Sequence, residues 1–171
     1  MGCGRDSVVG GFGNERGCVC EVVRAILDIQ NQANDEDCPT CTTNCFLEPL
    51  GGIVSPARKA ADTRVFKLLT KTGMPFMAQF SSDLYEHCTS VFFRVEDFFD
   101  DCCATLRVLV PLYEYGGDAV NLLSDCGTKL NLAELCEVNH FAPSDSCITV
   151  DLNCFCAVQC VADVDLNICC N

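Results

Sequence analysis

Hydrophobic positions along this 171-residue chain follow two different periods. Between Cys18 and Ala33, Val19, Val22, Val23, Ile26, Leu27 and Gln30 recur at helical spacing, with Glu21, Arg24, Asp28 and Gln32 between them. That spacing puts the first set on one side of a helix, so one amphipathic helix is predicted, ended by Asn34-Asp35-Glu36-Asp37. Farther along, the period falls to two. Arg64–Thr70 and Pro75–Phe80 flank Lys71-Thr72-Gly73-Met74, the pattern of a hairpin with a glycine-containing turn. Over Ser90–Asp97, Val91, Phe93 and Val95 share one face, and Phe92, Arg94 and Glu96 the other. Cys103–Leu112 turns Ala104, Leu106, Val108 and Val110 one way. In Ser146–Gln159, Ile148, Val150, Leu152, Cys154, Cys156 and Val158 oppose Cys147, Thr149, Asp151, Asn153, Phe155 and Gln159. Ala119–Cys136 fits either a strand or a short helix.

These elements divide the chain. Glycines at positions 2, 4, 10, 11, 13 and 17 predict a flexible arm over residues 1–17. Residues 18–162 form a cysteine-rich β domain with its N-terminal helix, and 163–171 a C-terminal tail. Between helix and strands, residues 38–63 read as loop. The expected fold class is mainly β: a single β-sandwich or barrel-like domain with one N-terminal amphipathic helix and flexible termini.

Composition changes the picture most through cysteine. There are 17, an odd number, so at least one thiol has no intrachain disulfide partner. A chain of this length buries enough surface to fold without staples, which leaves thiols for joining one molecule to another. Net charge is -13 with only 11 Lys plus Arg. Such a surface repels nucleic acid and anionic membranes. No apolar run approaches the roughly 20 residues of a spanning helix. The N-terminus lacks an apolar core, so no secretory signal peptide is expected. Asp6 stands where N-myristoylation wants Ser or Thr. Synthesis in a reducing cytoplasm follows, with disulfides forming later.

Position sorts the thiols. Cys3, Cys169 and Cys170 lie near the chain ends and are candidates for intermolecular disulfides, as are Cys38, Cys41 and Cys45. Cys102, Cys147, Cys154, Cys156 and Cys160 are candidates for intrachain pairs or buried thiols, with the parity of Cys147 favouring an exposed or sheet-bridging position. Cys102 and Cys103 point to opposite faces, and a bond between them is strained. The alternative is a soluble zinc-binding protein. Cys38, Cys41 and Cys45 supply three thiolates and Cys18 or Cys20 a fourth. Cys38-Pro39-Thr40-Cys41 has the outline of a redox motif, but it follows an acidic cluster that raises a thiolate pKa. His87 and Cys88 are neighbours whose side chains diverge on a strand. Asp97, Asp100 and Asp101 lack calcium-loop spacing and read as a solvated turn. Nucleophile-elbow, phosphate-loop and dinucleotide signatures are absent. The chain is read as non-enzymatic, with no catalytic residue, metal site or cofactor.

Four blocks resemble the spore coat and exosporium Y/Z family of endospore-forming bacteria (CotY, CotZ and ExsY). They are Cys18-Val19-Cys20 through Gln30; Ala61-Asp62-Thr63-Arg64 through Lys71, then Gly73 and Pro75-Phe76; Phe93-Arg94-Val95-Glu96 with Cys102-Cys103-Ala104-Thr105-Leu106-Arg107-Val108-Leu109; and Cys147-Ile148-Thr149-Val150-Asp151-Leu152 with Cys154-Phe155-Cys156-Ala157-Val158-Gln159-Cys160. The second block looks closer to the exosporium members. The resemblance implies a structural protein of the spore surface, in the outer coat, crust or exosporium. It implies homo-oligomers, hexamers among them, that extend into two-dimensional lattices cross-linked by disulfides. Other coat or exosporium proteins are the implied partners.

Overall fold

The computed structural model describes residues 17–37, 61–81, 88–99, 102–124, 127 and 129–168, and the loop and arm expected over 1–16 and 38–60 lie outside them. Helix α1 runs Cys18–Asp37, through the acidic cluster expected to end it. Val19, Cys20, Val23, Ile26 and Gln30 make its buried stripe. Glu21, Ala25, Asp28 and Ile29 face out.

The stripe packs on a five-stranded antiparallel sheet built from β1 (Thr63–Leu69), β4 (Phe93–Phe98), β5 (Cys103–Leu112), β6 (His140–Asp151) and β7 (Ala157–Val164). Their order is β6-β5-β4-β1-β7, and a short ladder pairs β2 (Ala78–Gln79) with β3 (Thr89–Ser90). The central strands of the sheet are buried on both faces. On β5, Ala104, Leu106, Val108, Val110 and Leu112 join the helix-side core, whereas Leu109 joins a second cluster with Val65, Phe92, Val120, Leu122 and Phe141. The chain is mainly β with one N-terminal helix, as its periodicity predicts. Among the described residues no second multi-stranded sheet stacks on the first.

β6 and β7 occupy opposite edges yet are joined only by residues 152–156. In a flat sheet four strand spacings span about 19 Å. Leu152–Cys154 winds as a 3₁₀ turn, rising about 2 Å per residue, so the link is too short for a flat sheet. The sheet therefore curls around the helix-side core, where Leu152 and Phe155 of the link are buried.

Three elements differ from expectation. The turn at Lys71–Met74 forms, with the Gly73 amide donating to the Thr70 carbonyl at 2.9 Å and Gly73 at φ 79. The strand after it bridges back to β1 at Leu69 and Pro75, the Phe76 amide donating to the Leu68 carbonyl at 2.8 Å, and then leaves to pair with β3 over Ala78–Gln79, since β4 and β7 flank the rest of β1. The continuous strand expected over Ser146–Gln159 breaks at the 3₁₀ turn, which Asp151 caps by accepting the Asn153 amide at 2.9 Å. The ambiguous segment holds a short helix, α2 (Leu132–Glu137), capped by the Asn131 side chain.

The sheet has one weak seam. β1 and β4 share a single register pair, Phe66 with Phe93. Gln30 of α1 fills the gap: its Nε2 donates to the Val95 carbonyl at 2.8 Å, and its Oε1 accepts the Arg64 amide at 3.1 Å. Replacing it leaves two backbone groups without partners, each costing about 1–3 kcal/mol. Gln30→Leu, of similar volume, is expected to lower stability by about 2–4 kcal/mol. A urea unfolding curve unchanged from wild type would contradict this role.

Candidate functional site

The chemistry of the described residues lies in thiols and one buried ionic network. The network closes the seam from the other face. Arg94, 4% exposed, donates through Nη1 to the Asp62 carbonyl at 2.7 Å and to the Thr63 hydroxyl. Thr63 in turn donates to Asp62 Oδ1 at 2.8 Å. Arg94 lies directly across from Arg107 on β5. Glu96 sits between them, 3.2 Å from Arg94 Nε and in contact with Arg107 Nε, so one carboxylate offsets two like charges.

Asp62 also reaches the end of the chain. Its Oδ1 accepts the Leu166 amide at 2.9 Å, and its Oδ2 accepts the Ile168 amide at 2.8 Å. The tail expected over 163–171 is held to the sheet through these bonds as far as Ile168. Removing one member of a buried charged network strands the rest at a cost of about 3–5 kcal/mol. Asp62→Ala is expected to destabilise by that amount, measured by denaturant unfolding.

The thiols divide sharply by burial. Cys20, on the inner stripe of α1, is 1% exposed, and Cys102, at the entrance to β5, is 3% exposed. They form a disulfide across 82 residues with Cα atoms 5.5 Å apart. Cys102 adopts φ 66, which turns its side chain in toward the helix. Its neighbour Cys103 remains a free thiol, half-buried on β5. Closing a loop of this size restricts the unfolded chain by about 4.5 kcal/mol in the chain-entropy account. Cys102→Ser is expected to cost about 2–4 kcal/mol, read as a lowered melting temperature. Wild type unfolded and refolded in reductant should show at least this loss, since the Cys156 bond is reduced as well.

Cys18, Cys88, Cys136, Cys147, Cys154 and Cys160 are free and exposed. They are spread over the helix start, the approach to β3, α2, the middle of β6, the 3₁₀ turn and the middle of β7. Cys156 is disulfide-bonded. Cys154 was expected to share the inner face with Val150; the 3₁₀ turn breaks the alternation and turns it outward. Cys3, Cys38, Cys41, Cys45, Cys169 and Cys170 lie outside the described residues. Among the described residues no group of three His, Cys, Asp or Glu is placed to hold a metal. Cys20, one suggested fourth zinc ligand, is committed to its disulfide.

Sequence reasoning missed Asp62, Arg94 and Gln30 as organising residues. A signal existed for two of them: Gln30 fell on the apolar stripe of the helix, and Arg94 alternated with Phe92 on a strand. No described helix is long and apolar enough to cross a membrane.

Comparison with known proteins places this framework. The model of the family described as spore coat protein Z matches residues 1–163. Spore coat protein Z of Bacillus subtilis (strain 168) is 34% identical over 147 residues, covering 84% of this chain and 88% of that protein. No solved structure matches. With a family model over nearly its whole length and a relative aligned across most of both sequences, the chain belongs to the spore coat protein Z family.

Proposed function

We propose that copies of this chain form a layer of the spore surface and are joined to one another by disulfides, without enzymatic activity. Family membership supports a structural role in the spore coat. The observation that carries the cross-linking is the division of the thiols: Cys20 and Cys102 are sealed inside by their own bond, while six free thiols among the described residues stand exposed on separate parts of the surface. Thiols arranged outward in several directions suit links to several neighbours. An intermolecular disulfide forms only where two thiols already lie within reach, so non-covalent contacts set the geometry first. Proximity in the layer then raises the effective thiol concentration and makes weak contacts durable together. Hexamers extending into a two-dimensional lattice, with other coat or exosporium proteins as partners, belong to this reading. So do the outer coat, crust or exosporium as its place.

Oxidising the purified chain and running it on non-reducing gels is expected to give a ladder of oligomers that collapses to monomer with reductant. Elemental analysis of the reduced monomer is expected to show no stoichiometric zinc. A monomer band under both conditions, together with one zinc per chain, would replace this reading with the metal-binding one.

A further inference from the structure

We infer that β7 is an assembly edge, pairing with β7 of a second copy, and that Cys160 locks this contact. The inference rests on the cross-linking proposed above and names one of its links.

The two edges of the sheet are chemically unlike. β6 carries Pro143, Asp145 and Asp151, all exposed. Proline and charge are features that keep edge strands from joining. β7 is mostly apolar, with Val158, Val161 and Ala162 around Cys160, yet none of its residues is buried. Val161 is 42% exposed. Its single charge, Asp163, is neutralised by Arg64, whose Nε and Nη2 donate at 2.7 and 2.8 Å. In a chain of net charge -13, β7 is the edge where two copies approach without opposing like charges.

The occupant is a second copy because the strand suits its own image. An antiparallel pair about a two-fold axis normal to the sheet keeps the same face of both copies up. A thiol near the middle of the strand then meets its own equivalent. Cys160 stands there, exposed and free. The register between β1 and β7 shifts at Val65 and Phe66, leaving Val161 without an opposing residue. That bulge shortens the regular ladder, and a two-stranded contact of this length is marginal on its own. A covalent link therefore decides whether it persists. Two Cys160 thiols form one S–S bond, releasing two protons and two electrons. A low-molecular-weight disulfide accepts both and leaves as two thiols.

The test oxidises the full chain with oxidised glutathione and maps disulfide-linked peptides by mass spectrometry without reduction. A Cys160–Cys160 peptide is necessarily intermolecular and is the expected result. Val161→Asp and Val161→Lys keep the thiol but place two like charges beside the axis, one on each strand. Both are expected to lose that peptide while their circular dichroism and melting temperature match wild type. A change in overall charge alone would move the two variants in opposite directions. Oligomers linked only through peptides lacking Cys160, or a Cys160 link that survives both variants, would overturn this assignment while leaving cross-linking intact. No oligomers at all in wild type would overturn both.

Discussion

The fold depends on holding two half-sheets together where their backbones barely touch. β1 with β7 makes one half; β4, β5 and β6 make the other. A single register pair, Phe66 with Phe93, joins them, and side chains supply what the backbone does not. Gln30 bridges the gap from the helix side, and Arg94 with Asp62 from the opposite side. Most polar groups in these positions are hydrogen-bonded, and Arg94 Nε, which is not, lies 3.2 Å from the Glu96 carboxylate; any member removed leaves its neighbours buried and unpaired. The Cys20–Cys102 bond reinforces the same region, tying the first turn of the helix to the entrance of β5. The apolar core accounts for the general shape, and these few polar contacts fix which strands are neighbours.

A sealed interior and a reactive exterior then serve different ends. The buried disulfide is shielded from exchange with thiols in solution, so conditions that shuffle surface bonds leave the framework intact. Outside, acidic groups dominate and keep molecules apart. Local neutrality decides where approach is allowed. On β7 the Arg64 hydrogen bonds hold the Asp163 carboxyl below its ordinary range, against the opposing effect of burial. The pair's stabilisation is thus in place above the ordinary carboxylate pKa and is lost as pH falls through the lowered one. Being exposed, it contributes little to folding; its weight lies in cancelling charge at an edge.

Much of this was legible in the sequence, and the failures have physical causes. The helix follows from periodicity because it buries one regular stripe, and so does the first half of β5, before its later residues are buried on both faces. The hairpin turn followed from Gly73, but which strand would pair next did not, since neighbour choice depends on contacts distant in sequence. The break after Asp151 was hidden because Leu152 and Phe155 kept the chain apolar through the turn, and apolar runs carry no mark of direction. Among the thiols, Cys102 precedes β5 and takes φ 66, so strand alternation does not describe how it diverges from Cys103. The partner of Cys102 lies 82 residues away, and spacing cannot reveal it. Arg94 was the plainest missed clue: an arginine between Phe93 and Val95 reads as solvated only if its face is solvated, and here it is covered.

The pairing of β1 with β7 joins residues as far apart as Arg64 and Asp163. Such a topology has high contact order, and the first strand waits, with its outer flank bare, for the last. Until β7 is laid down that flank of β1 stays bare, and the rim at which a second copy would pair is unfinished.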